Sequence, residues 1–215
     1  MPLPFTAEQF YEVFRTYNEA VWPAQWMLLG LAAMAIYLVL RPRPWSHRAV
    51  SAILAGLWVW LAIAYHFVFF AAINPLAYAF GAASLGGALV FLWQGVVRGE
   101  LRFAAGNSGF HYAGWVLIAF ALLVYPVWSW LEGHRYPAMP TFGLPCPITI
   151  FTIGMLALQT TPHVRAPLSV PVLWCFIGGQ AAFLLNVRPD LGLVAAGLLG
   201  SVMLIRPNAS IMRQM

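Results

Sequence analysis

Two side chains in this sequence, His66 and Cys146, could support chemistry in otherwise apolar surroundings. Cys146 stands between Pro145 and Pro147 in the stretch FGLPCPITIFTIG, residues 142–154. Prolines fit the extended start and the first turn of a helix, where a missing N–H costs little. A thiol at a helix N-terminus is also favoured as the thiolate. Cys146 therefore marks either a working site or only the kinked start of a helix.

A polar stripe follows Cys146 along the predicted helix. Thr149, Thr152, Gln159 and Thr160 share one arc of the helical wheel with Cys146. The stripe could line a polar path. Alternatively, its hydroxyls could bond to the helix backbone and across helices, as is common in transmembrane helices. Both interpretations stay open at this point.

His66 lies within the apolar run YHFVFFAAINP, and its position on the helical wheel predicts that it points into a helical bundle. A neutral imidazole there needs one donor and one acceptor partner, from a neighbouring helix or from a ligand or metal site. Asn74 and His134 should lie at the same end of the bundle as Cys146. The predicted outward-facing binding pocket comprises His66, Asn74, His134, Cys146, Thr149 and Thr152.

The sequence makes a metal or cofactor site a minor alternative. It contains no CxxC or HExxH spacing, so only His66, His134 and Cys146 are weak candidate ligands. All six carboxylates fall in loops, termini or span ends, which predicts that none serves a buried proton relay. Cys146 and Cys175 should not form a disulfide, because they approach the membrane from opposite sides. No cofactor is predicted, with haem or a metal ion as the alternative.

The composition indicates the elements that position these residues. Of the 215 residues, 62% are hydrophobic and 8% are charged, and the mean hydropathy is +0.78, which predicts a membrane protein. We expect an all-α, polytopic helical bundle that forms a single domain, residues 1–215. Seven uncharged runs predict seven transmembrane helices, at about 21–40, 49–73, 75–97, 111–131, 146–160, 170–186 and 191–205.

Smaller features refine this bundle of residues 21–205. Residues 5–20 predict an amphipathic helix lying on the membrane, with Thr6 and Gln9 at capping-box spacing. Small residues at four-residue spacing predict close helix contacts, at Ala79, Ala83 and Gly87 in the third span and at Gly192, Ala196 and Gly200 in the seventh. Most tryptophans, Trp174 included, sit near span ends, as in an interfacial belt.

Arginine predicts the orientation, because the chain contains no lysine. With seven spans, eight arginines lie on one side of the membrane and three on the other. This split predicts an outside N-terminus and a cytoplasmic tail, residues 206–215. If the segment at 146–160 were re-entrant, the split would be six to five and uninformative. The absence of lysine also excludes a retinal Schiff base.

Four stretches resemble a family of bacterial multi-pass membrane proteins that is known only as a domain of unknown function. They are FTAEQFYEVFRTYNEAVWPAQ, YHFVFFAAINPLAYAFG, GHRYP and FGLPCPITIFTIG. The resemblance covers most of the chain. It implies a polytopic protein of the bacterial inner membrane, and it implies no activity, substrate or catalytic residue.

Three hypotheses of function follow. The first is a membrane protein that binds or translocates a small solute or ion through the outward-facing pocket. The second is a non-catalytic subunit or scaffold of a larger membrane complex. The third is a haem- or metal-binding redox protein, which one deep histidine supports only weakly. The expected partners are the lipid bilayer and a membrane protein or second copy of the chain; the net charge of +5 reflects topology, and no nucleic acid is expected.

Overall fold

The computed structural model describes residues 4–160 and 164–205. Within these ranges the chain is mainly helical and forms no extended strand, so the predicted all-α class is confirmed. The predicted tail at 206–215 lies outside the described residues, together with Arg206, Arg213 and His163.

Ten α-helices cover most of the part of the chain that the structure describes. They are α1 Ala7–Val21, α2 Ala24–Leu40, α3 Ser46–Trp60, α4 Ala77–Val90, α5 Gly109–Ala119, α6 Tyr125–Leu131, α7 Pro145–Ala157, α8 Ser169–Gly178, α9 Ala181–Leu184 and α10 Leu191–Ile205. Wider π-helical turns extend α3 (Leu61–Phe67) and α4 (Phe91–Val97) and join α5 to α6 (Phe120–Val124). Tighter 3-10 turns follow or precede others, at Phe70–Ala72, Ala166–Leu168 and Arg188–Asp190.

Five helical stretches in the described residues are long and apolar enough to cross a membrane: Ser46–Ala72, Ala77–Val97, Gly109–Leu131, Ala166–Leu184 and Arg188–Ile205. Helices α1 and α2 would count as a sixth together, although they are bent by 87°. Helix α7 has only 13 residues, fewer than the roughly 20 that span the hydrocarbon region. The length criterion thus supports five or six of the seven predicted spans.

Helix α7 is the centre of the bundle, because every one of its residues is buried. The segment after it pairs with the chain near Arg102, where Thr160 donates its N–H to the Arg102 carbonyl at 2.8 Å. Before its start, the Gly143 carbonyl accepts a hydrogen bond from the Tyr17 hydroxyl of α1 at 2.9 Å. Helix α7 therefore runs from the end of the bundle beside α1 to the opposite end.

We name these two ends for later use. The α1 end comprises α1 and residues 73–76, 132–144 and 185–190. The arginine end comprises residues 41–48, 98–108 and 158–165, with 161–163 outside the described part. The loops of the arginine end contact one another, since the Phe103 N–H bonds to His47 Nδ1 at 3.3 Å.

Close crossings hold the helices around α7. A Cβ atom on Gly154 of α7 would lie 2.9 Å from the Gly114 carbonyl oxygen of α5, so only glycine fits there. Small residues of α10 act similarly, because a Cβ on Gly200 would lie 2.5 Å from Val172. That contact confirms the small-residue stripe predicted in the last span. The stripe predicted in the third span is only partly correct, because Ala79 is exposed.

Helix α1 forms as predicted but packs differently. Its capping box is present, with hydrogen bonds between Thr6 and Gln9 in both directions. Its apolar face was expected to lie in the membrane interface. Instead Phe10, Phe14 and Tyr17 are buried against the α1 end of the bundle. The bundle offers an apolar surface of its own at this end, so α1 covers protein with the face that the sequence assigned to lipid.

Candidate functional site

A cavity of about 240 Å³ lies beneath α1 at the α1 end of the bundle. Side chains from α1, α4, α6, α7 to α9 and the end of the α3 stretch enclose it. Exposed Leu76 and Leu184 mark its rim. We call it the α1 cavity.

Aromatic rings form most of the wall of the α1 cavity. Phe10 contacts Phe14 at 4.6 Å and Phe70 at 6.1 Å between ring centroids. The chain of rings continues from Phe70 to Phe80 at 6.5 Å and from Phe80 to Trp174 at 5.4 Å. Such a wall favours an apolar or cationic occupant over a strongly hydrated one.

A few polar groups interrupt this wall: Asn74, Tyr125, Cys146, Trp174 and Gln180. Asn74 is largely committed to the fold, because its Oδ1 accepts the Leu76 N–H at 3.1 Å before α4. The Trp174 indole N–H is buried and has no hydrogen-bond partner among the described residues. The cavity lining therefore includes this indole N–H as a donor within an aromatic surface.

Asp190 lies behind Tyr125 and Cys146 and does not itself line the α1 cavity. It is a buried acid, although the sequence places it at a span end; the prediction that it serves no buried proton relay stays a prediction. The exposed fraction of Asp190 is only 1%. The Tyr125 hydroxyl donates to one carboxyl oxygen at 2.5 Å, and the other oxygen has no hydrogen-bond partner among the described residues. The Cys146 side chain also lies next to this carboxyl group. Asp190 stands at a span end in the sequence, but helix packing closes over it.

His66 is fully buried in the bundle, which confirms its predicted orientation. It does not line the α1 cavity. Its ring packs behind the wall, 5.0 Å from the Trp174 ring and 5.9 Å from the Phe80 ring. Neither ring nitrogen has a hydrogen-bond partner in the described part of the chain, so the neighbouring-helix bond suggested from the sequence is not formed.

Thr149, Thr152 and Gln159 of the polar stripe are buried inside the bundle, Thr160 is partly exposed, and none of the four lines the α1 cavity. Thr152 donates to the Ile148 carbonyl at 2.8 Å and accepts the Trp58 indole N–H at 3.1 Å. Thr152 therefore fits the interpretation in which the hydroxyls bond to the helix backbone and across helices. The Thr149 hydroxyl is buried without a partner among the described residues.

His134 lies apart from the other predicted site residues and contacts α1. Its Nε2 is 3.0 Å from the Tyr11 hydroxyl, and the two rings stack at 4.3 Å. Burial lowers the pKa of His134, and the negative charge of Glu132 opposes that shift. Burial also raises the pKa of Tyr11 to about 12, with smaller contributions from Asp190 and Glu132. Both rings are thus favoured in their neutral forms.

The predicted outer pocket is therefore only partly assembled. The α1 cavity brings together Asn74 and Cys146 and leaves out the other four predicted residues. Both cysteines are free, as predicted. No group of three or more metal-ligating side chains occurs in the ranges 4–160 and 164–205.

Sequence reasoning missed Tyr65, Tyr125, Trp174 and Asp190. Trp174 was assigned to the interfacial belt, yet it lines the α1 cavity. A tryptophan near a span end gives the same sequence signal in both roles. The available signal for Asp190 was its place directly before an apolar helix, where an acid stabilises the N-terminus.

Together, the fold and the α1 cavity define a class: an all-α bundle with several helices that can cross a membrane and an aromatic cavity covered by the N-terminal helix. The chain belongs to a family of unknown function, DUF6064, which it matches over residues 7–214. The resemblance inferred from the four stretches to a family of unknown function is thus confirmed. No curated protein and no solved structure matches the chain.

Proposed function

We propose that this chain is a multi-pass protein of the bacterial inner membrane that binds a small, largely apolar molecule in the α1 cavity. One observation carries the proposal: the aromatic cavity that α1 covers at the end of the bundle. The sequence predicted a polar pocket. The structure supports a more apolar solute, because the threonine stripe is buried elsewhere.

The proposed topology has seven crossings, with the N-terminus and the α1 cavity on the outer side. Helix α7 supports this topology, since it links the two ends of the bundle inside a shell of longer helices. Burial by these helices lets α7 be shorter than a lipid-facing span. Translocation of the solute would need a path beyond the cavity and stays a hypothesis.

Equilibrium binding of 4-fluorotoluene, followed by its fluorine NMR signal, tests the proposal in detergent. Ala181 lines the cavity, so Ala181→Trp should fill the cavity and abolish saturable binding. The matched control is Phe183→Trp, two residues further on, where the side chain is 72% exposed. Partitioning of the probe into the micelle is common to wild type and both variants, so it does not account for a difference between them. Equal binding by wild type and Ala181→Trp would refute the proposal.

The other two hypotheses stay predictions. A role as subunit or scaffold would show in the native mass, measured after gentle solubilisation. A haem or metal role would show in the visible spectrum and metal content of the same sample. Within the described residues, His66 and Cys146 each lie near Trp174, whereas His134 contacts Tyr11 of α1.

A further inference from the structure

The α1 cavity has an aromatic wall, and directly behind the wall residue Tyr125 lies the buried acid Asp190, which has no counter-ion among the described residues. Eight aromatic side chains line the space: Phe5, Phe10, Phe14, Tyr65, Phe70, Phe80, Tyr125 and Trp174. Aromatic faces attract cations that lie within about 6 Å of a ring centroid, and cages of such rings bind quaternary ammonium groups. The cavity wall alone would also suit a neutral molecule. The buried acid Asp190 favours a cation over a neutral molecule as the occupant.

Only neutral groups touch the Asp190 carboxyl among the described residues. Tyr125 donates to it, and Cys146 lies beside it. Tyr65, Tyr11 and Cys175 are its more distant titratable neighbours, and none of them supplies a positive charge.

The nearest basic groups are engaged or separated from Asp190. The Arg188 guanidinium is 57% exposed and bonds to Glu132 at 3.2 Å. His66 packs behind Trp174 as a fully buried ring. A buried carboxylate without a counter-charge is strongly disfavoured, so in the unliganded protein Asp190 holds a proton.

The charges around the cavity favour a cation as well. With Asp190 protonated, the α1 end has four carboxylates and three arginines, namely Glu8, Glu12, Glu19 and Glu132 with Arg15, Arg135 and Arg188. The described part of the arginine end carries one acid and six arginines: Glu100 with Arg41, Arg43, Arg48, Arg98, Arg102 and Arg165. A cation is therefore attracted to the cavity end of the molecule.

We infer, on the basis of the proposed function, that the α1 cavity takes a small lipophilic organic cation, such as a quaternary ammonium, with Asp190 as its counter-charge. Binding then replaces one positive charge, the proton on Asp190, with another, the organic cation. The Asp190 O–H bond breaks, its proton leaves to water, and the cation enters the cavity, separated from the resulting carboxylate by the wall residues Tyr125 and Cys146. The net charge of the site is unchanged by the exchange.

Two probes of the same shape test this inference. Benzyltrimethylammonium carries the charge, and 2,2-dimethylpropylbenzene replaces its nitrogen with carbon. In wild type, the cation should bind at least tenfold more tightly than the neutral probe and release about one proton. Its affinity should rise about tenfold per pH unit while Asp190 is protonated in the free protein. Proton release needs no variant, so this arm does not depend on a mutant folding.

Asp190→Asn is the matched variant, because its amide oxygen can still accept from Tyr125. It should lose at least tenfold in cation affinity and all of the proton release, and retain binding of the neutral probe. Equal binding of both probes by wild type, or cation binding without proton release, would overturn the inference. If the neutral probe alone binds and Ala181→Trp blocks it, the proposed function stands without the cation. If neither probe binds saturably, both proposals fail.

Discussion

At the scale of the residue, the sequence predicted where a side chain points better than it predicted which side chains it contacts. His66 points inward and Cys146 opens α7 beside the cavity, as their positions in apolar runs predicted. The partners of these residues come from helices distant in the sequence. Trp58 reaches Thr152 across 94 positions, and Tyr125 reaches Asp190 across 65. A pattern along one helix holds no information about such contacts.

The two buried threonines of α7 should respond differently to the same substitution. Thr152→Val would leave the buried Trp58 indole N–H without its acceptor, which costs about 1–3 kcal/mol. Thr149→Val removes a hydroxyl with no described partner, so it should leave stability unchanged or increase it. Reversible unfolding in mixed micelles measures both changes in free energy. An equal loss in the two variants would contradict these assignments.

The protonation of His134 should affect stability at mildly acidic pH. Its pKa in the folded protein is lowered by burial, so the folded state favours the neutral ring. This contribution is complete above the unfolded value of about 6.5 and is lost as the pH falls below it. The midpoint of thermal unfolding should therefore drop less between pH 7 and pH 5 in His134→Gln than in wild type. Identical drops would show that His134 makes no contribution.

At the scale of the element, helix positions were predictable, but what each face covers was not. The cap of α1 and the small-residue stripe of α10 follow local patterns, and both are present. The glycine crossing between α5 and α7 involves one glycine on each helix, so no repeat of small residues in the sequence predicted it. An amphipathic α1 suits a membrane surface and a protein surface equally. Only the assembled bundle shows that it covers the cavity.

The α5–α7 crossing should not tolerate a methyl group. Gly154→Ala would push a Cβ against the Gly114 backbone, and overpacking of this kind costs about 1–3 kcal/mol. Gly56→Ala on α3 is the control, because a Cβ there meets nothing within 4 Å. The free energy of unfolding should fall in the first variant and stay level or rise in the second. A loss confined to Gly56→Ala would contradict the observed crossing.

At the scale of the whole molecule, composition predicted the all-α class, and the unequal charge of the two ends supports the proposed orientation. Length alone could not establish α7 as a crossing helix, because a helix shielded from lipid escapes the usual length requirement. The proposal that α7 crosses the membrane rests on hydrogen bonds just beyond its two ends, from Tyr17 to Gly143 and from Thr160 to Arg102.

Single cysteines at the two ends test the orientation, in a Cys146→Ser, Cys175→Ala background. Arg135→Cys places an exposed thiol at the α1 end, and Pro44→Cys places one at the arginine end. A membrane-impermeant maleimide should label Arg135→Cys in intact cells and Pro44→Cys only after permeabilisation. The reverse pattern would invert the topology. Labelling of both in intact cells would contradict a fixed orientation.

The central claim is that the α1 cavity binds a small molecule. The most direct test is whether the protein taken from its native membrane carries such a molecule. Native mass spectrometry of the gently solubilised protein measures it. Wild type and Phe183→Trp should each carry one small bound molecule per chain, which Ala181→Trp should lack. The same bound mass in all three proteins, or none in any of them, would contradict the account.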